Sequence, residues 1–155
     1  MTVHSATLEG VGSRSVGWSA LLGLLAPAGR VLFSTIFIAA AFTHFAPATI
    51  AYAAAQGVRY PEVVVPLAGL LAAAGGLSVA LGYRAKLGAW LLVVFLVPVT
   101  LRMHNFWAVS DPMLAALQQA MFMKNVSLLG GALFVAYFGA GPYSLDARRA
   151  REGSP

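Results

Sequence analysis

His44, His104, Asn105, Lys124 and Asn125 lie inside or beside long apolar stretches of this chain, where polar groups need a reason to be. Imidazole rings can donate or accept a hydrogen bond, amides can do both, and an ammonium group donates three and carries a charge. Together they could grip a polar or anionic group, with a histidine bonding a ligand carbonyl and Lys124 countering negative charge as it develops. Phe106 and Trp107 follow His104 directly and offer aromatic faces, suited either to a membrane-interface belt or to the lining of a site for a flat ligand.

Other chemistries find no residues. With no cysteine in the chain there is no disulfide exchange, thiolate nucleophile, cysteine-held iron–sulfur cluster or C-x-x-C-H haem attachment. Two histidines on different helices could hold a haem or metal, but no second pair and no nearby carboxylate accompanies them, so no metal site is expected. No Ser/His/Asp set, glycine-rich phosphate loop or paired carboxylates is visible. The five acidic residues fall mostly near the ends or in expected loops, which leaves few candidates for general acid–base work.

The elements that position the polar residues are set by hydropathy. Residues 31–58, 63–83 and 125–145 contain no Asp, Glu, Lys or Arg; 87–101 is likewise uncharged, and 103–110 extends it past Arg102. Crossing roughly 30 Å of hydrocarbon takes about 20 mostly apolar residues in a helix. With 155 residues, 59% of them hydrophobic, 10% charged and a mean hydropathy of +0.79, the expected fold is an all-α, polytopic membrane four-helix bundle. Spanning helices are expected over about 30–46, 63–81, 87–104 and 113–138, within a transmembrane domain at 30–142. Residues 1–29 read as an N-terminal tail: no cleavable signal peptide, a mobile stretch over 1–15, and a short interfacial segment near Trp18. Residues 143–155 form a basic tail. Pro98 should kink the third span, and Asp111 followed by Pro112 is a helix start.

Basic residues set orientation. With the N-terminus inside, Arg14, Arg30, Arg84, Lys86, Arg148, Arg149 and Arg151 fall on the cytoplasmic side, against Arg59, Arg102 and Lys124 on the other. That asymmetry puts both termini in the cytoplasm. The net charge of +5 thus flanks hydrophobic segments, so the expected partner is the lipid bilayer and not nucleic acid. Counted upward at helical rise, His44 lies about 21 Å above Arg30, His104 about 26 Å above Leu87 and Lys124 about 22 Å from Gly139. Asn105 and Asn125 join them in one polar layer of the outer leaflet. Such groups cost a few kcal/mol unless paired or hydrated, and three readings stay open: a ligand pocket, structural polar packing, or unrelated interfacial residues. Small residues at four-residue spacing, among them Gly69 with Ala73 and Ala72 with Gly76, allow close helix packing within the chain or in a homo-oligomer.

Taken in order, several segments resemble the DoxX family. They are Gly29 with Arg30; Thr43, His44 and Phe45; Gly75 and Gly76; Leu81 to Tyr83; Met103 to Trp107; Phe122 to Asn125; Gly130 and Gly131; and the run from Phe138 to Asp146. The likeness covers residues 28–146. It departs from the family pattern at Ala72, Ala73 and Ala74, where many members carry a Glu. The resemblance implies a small four-helix protein of the bacterial cytoplasmic (inner) membrane, acting as an accessory or anchoring subunit of a quinone-linked redox system. It would have a redox protein partner, no intrinsic cofactor, and a quinone as candidate ligand of the polar layer. The alternatives are an autonomous thiosulfate-type quinone oxidoreductase, with Lys124 and Arg59 as anion contacts, and a small transporter, which the short helices, Pro98 and the polar layer allow.

Overall fold

Backbone amides and carbonyls in hydrocarbon have no water to bond, and a helix is the one open structure that satisfies them within a single segment. The computed structural model describes residues 17–18 and 20–153, and every regular element among them is helical. In order these are α1 (Leu25–Thr43), α2 (Pro47–Ala55), α3 (Pro61–Leu81), α4 (Ala85–Met103), a 3₁₀ turn (Phe106–Ala108), α5 (Pro112–Phe138) and α6 (Leu145–Glu152). Four stretches are long and apolar enough to cross a membrane: Ala20–Thr43, Pro61–Leu81, Ala85–Ala108 and Pro112–Phe138. The chain is an all-α membrane four-helix protein. The expected tail over 1–15, with Arg14, lies outside the described residues.

Helix boundaries follow local chemistry. Pro47, Pro61 and Pro112 each open a helix, where the missing N–H costs nothing. Before Pro112, the Asp111 carboxylate accepts from Leu114 N at 2.7 Å, a side-chain cap for the first turn. At the end of α3, Gly82 turns left-handed at φ +62°. Its amide donates to Val79 O and that of Tyr83 to Ser78 O, the paired bonds of a Schellman stop. Pro98 lies within α4, which nevertheless runs unbroken to Met103.

The spans pack in sequence, α1 on α3, α3 on α4 and α4 on α5. The core at their centre contains Phe37, Ala72, Val79, Ala89, Leu92, Phe95, Leu96 and Ala132. Glycines on α3 set the spacing on both sides. A Cβ on Gly76 would sit 3.2 Å from Phe37 and Ile38 of α1, and one on Gly75 only 2.7 Å from Leu92 and 2.9 Å from the Gly88 carbonyl of α4. Such closeness gains dispersion contacts, which drive helix association in lipid. Helices α1 and α5 meet where the Phe33 ring covers Gly131.

One end of the bundle is tied by sequence-distant groups. Arg30, 6% exposed, donates to the carbonyls of Ala140, Pro142 (3.1 Å) and Tyr143 (2.7 Å). It thus ties α1 to the chain leaving α5, and lies inside the candidate span Ala20–Thr43. Asp146 accepts from Arg84 N at 2.7 Å and Ala85 N at 3.0 Å, capping α4 from the far end of the chain. Its own amide donates to Gly82 O at 2.8 Å. Ser144 caps α6 by accepting from Ala147 N.

Candidate functional site

At the opposite end α1 gives way to α2, α4 to the 3₁₀ turn, and α5 begins. His104 follows the last residue of α4, and its Nδ1 lies 2.8 Å from Gln118 Oε1 on α5. An amide oxygen only accepts, so Nδ1 carries the proton. Gln118 Nε2 donates to the Tyr52 hydroxyl of α2 at 3.1 Å, and that hydroxyl lies 3.4 Å from the Met103 carbonyl. Three elements are thereby joined through one short polar chain.

His44 sits at the end of α1, with Nδ1 2.6 Å from Ala40 O. The same reasoning makes Nδ1 the donor in this contact. The ring packs 5.6 Å from that of Phe95, and its Cβ occupies the space beside Gly69. His44 and His104 therefore belong to two different settings: His104 to the polar chain, His44 to a cavity described below. Asn125 is 5% exposed, and shares with Gln118 and Ala132 the stripe of α5 that recurs every seven residues. Lys124, one position earlier, is exposed, with Nζ 3.6 Å from the Met121 sulfur. Asn105 is half-buried, and its carbonyl accepts from Ala108 N in the 3₁₀ turn. Phe106, Trp107 and Phe122 form a three-ring cluster with centroids 5.2–5.8 Å apart. Trp107 is 61% exposed, as an interfacial anchor would be.

The polar set read from the sequence includes neither Tyr52 nor Gln118. The single signal for Tyr52 was a tyrosine in an otherwise alanine-rich turn of helix.

A cavity of about 690 Å³ opens beside His44, between α3 and α4 and under α2 and the loop that follows it. Its walls are apolar: Val64, Leu67, Ala68 and Leu71 from α3, and Val94, Phe95, Pro98 and Val99 from α4. Its polar groups are His44, Thr49, Arg59 and Arg102. Arg102 donates to Gly57 O at 2.7 Å, and both residues line the cavity. Pro98 offers no N–H to the Val94 carbonyl one turn back. The volume is that of an ordinary small-molecule site.

The model of the SURF4 family matches residues 19–151, nearly all of the described chain. The chain belongs to the SURF4 family. It is similar to the inner membrane protein YqjF of Escherichia coli, at 32% identity over 120 residues, 76% of this chain and 85% of that protein. It is also similar to the ER-derived vesicles protein ERV29 of Saccharomyces cerevisiae, at 27% identity over 127 residues, 82% of this chain but 34% of that one. No solved structure matches. Together with four membrane-spanning helices, the likeness to YqjF makes this SURF4-family chain a multi-pass inner-membrane protein.

The family match corrects the resemblance to DoxX, and the quinone-linked redox function drawn from it falls too, both as accessory subunit and as autonomous oxidoreductase. The small-transporter alternative falls with it. The physical reason lies in what the motif residues do. Arg30 clamps a loop, Gly82 ends α3, Asp146 caps α4, and Gly75 and Gly76 let helices touch. They describe how small four-helix membrane proteins are joined, and carry no redox chemistry.

Proposed function

We propose that this SURF4-family protein is a membrane-embedded binding protein whose lateral cavity takes an anionic amphiphile, an apolar chain ending in a carboxylate or phosphate. One observation carries the reading: two arginines, Arg59 and Arg102, line a mainly apolar cavity between spanning helices, together with His44 and Thr49. The chain of the ligand lies along Val64, Leu67 and Leu71 opposite Val94, Phe95 and Pro98, where it replaces lipid contacts with closer packing. The head meets the arginines, which suit flat or tetrahedral anions better than lysine does. Basic residues predominate at the other end of the bundle, so we place both termini in the cytoplasm and the cavity head in the outer leaflet.

The test is photo-crosslinking with a diazirine-bearing palmitate, adducts being mapped by peptide mass spectrometry. Labelling should fall on the facing stretches of α3 and α4, and be competed by palmitate far better than by its uncharged methyl ester. A charge-assisted hydrogen bond contributes about 1.5–3 kcal/mol, so R59Q/R102Q should weaken labelling about tenfold or more. Equal competition by acid and ester, or an unchanged double variant, would reject the reading.

A further inference from the structure

A second niche, of about 700 Å³, lies at the other end of the bundle, where α6 crosses the ends of α1 and α3. Its floor is apolar, formed by Pro27, Ala80, Leu81 and Leu145. Leu81 is the last residue of a membrane span, so the niche sits at the level where hydrocarbon gives way to headgroups.

Its charges are unbalanced. Arg30 forms the inner wall and hydrogen-bonds only neutral carbonyls, with the Asp146 charge felt at a distance; among the described residues its Nε has no hydrogen-bond partner. Arg148 pairs with Glu152 at 2.8 Å, whereas Arg151 has no ion-pair partner among the described residues. Asp146, the nearest other carboxylate, is occupied with the amides of Arg84 and Ala85. The niche thus gathers three cations and one carboxylate, over a surface that accepts hydrocarbon.

We infer that this niche binds an anionic phospholipid, with its phosphate between Arg148 and Arg151 and the start of an acyl chain on Pro27, Ala80 and Leu81. Both arginines lie on one face of α6, three residues apart, and present donors in the fork geometry that phosphate oxygens accept. The apolar floor favours a lipid over a free anion, since inorganic phosphate gains nothing from covering Leu81 and Leu145. Glu152 opposes the bound charge, both by repulsion and by holding Arg148. This site shares no residue with the amphiphile cavity.

Opposite effects from neighbouring charges give the test. Purified protein in mild detergent is titrated with phosphatidylglycerol or phosphatidylcholine, and bound lipid is counted by native mass spectrometry. One phosphatidylglycerol should bind in preference to phosphatidylcholine. R148Q/R151Q should lower its affinity about tenfold or more, while E152Q should raise it. All three side chains are exposed on α6, and an unchanged elution volume confirms that each variant is folded. Equal binding of the two lipids overturns the inference, as does an affinity that falls in E152Q. Displacement of the lipid by inorganic phosphate would show that the niche reads the anion alone, and would overturn the lipid assignment.

Discussion

Asp146 shows how much one side chain can organise. Its two oxygens satisfy two amides at the start of α4, and no residue near α4 in sequence could replace it. Asp146→Ala should lower stability by about 1–2 kcal/mol, the usual cost of a lost cap, read as a lower melting temperature in detergent; Asp146→Asn should recover part. Arg30 is the more demanding case, because three carbonyls depend on one guanidinium. A lysine keeps the charge but not the fork, so Arg30→Lys should melt well below the parent, whereas a purely electrostatic role would leave it unchanged. On the outer edge of the same knot, the Arg149 guanidinium lies 4.4 Å from the centre of the Tyr83 ring. By hydrogen bonding to the Tyr83 hydroxyl, with help from the charge of Arg84 and its own, it holds that hydroxyl below its ordinary range, because a donor and positive charge both favour the phenolate. A Tyr83→Phe difference titration at alkaline pH should reveal this early ionisation, and Arg149→Gln should move it back up.

At the level of helices, fit is set by where a Cβ has room. Gly75 faces Leu92 and the Gly88 backbone, whereas Gly130 on α5 has open space around it. Gly75→Ala should therefore force α3 and α4 apart at a cost of about 1–3 kcal/mol, and Gly130→Ala should be neutral or gain up to about 1 kcal/mol in helix propensity. Paired thermal melts would show whether the two glycines differ in this way. The same contrast explains what could be read in the sequence. Asp111 with Pro112, and Gly82 after an apolar run, are signals complete within a few residues, and the structure has both a cap and a stop there. The link from Tyr52 to Gln118 spans 66 positions and leaves no local trace. Arg30 differs again: its partners arrive from 110 residues further on, and it lies within α1, neither of which its neighbours in the sequence reveal. The cavity beside His44 needed the pairing of α3 with α4 before Arg59 and Arg102 could be seen to share it.

The whole molecule is a sequence of spans closed by side chains at its two ends, a polar chain through His104, Gln118 and Tyr52 at one and the Arg30 and Asp146 knot at the other. Its charge asymmetry makes a prediction that the absence of native cysteine makes easy to check. In intact cells a membrane-impermeant maleimide should label M113C, at an 84% exposed position, and should reach E152C only after permeabilisation. The reverse pattern would invert the topology. The Asp146 cap also carries a timetable. Helix α4 begins at Ala85, but the carboxylate that completes its first turn is 61 residues further along the chain. As the polypeptide emerges, α3 and α4 must enter the bilayer and pair before that cap is available, held by their packed core, the close glycine contacts and the Ser78 hydroxyl bonded to the Tyr83 carbonyl. Assembly is therefore separable from latching: a nascent chain halted before residue 146 should already be inserted, yet remain open to protease at the Gly82 turn, and become resistant only when the carboxylate arrives.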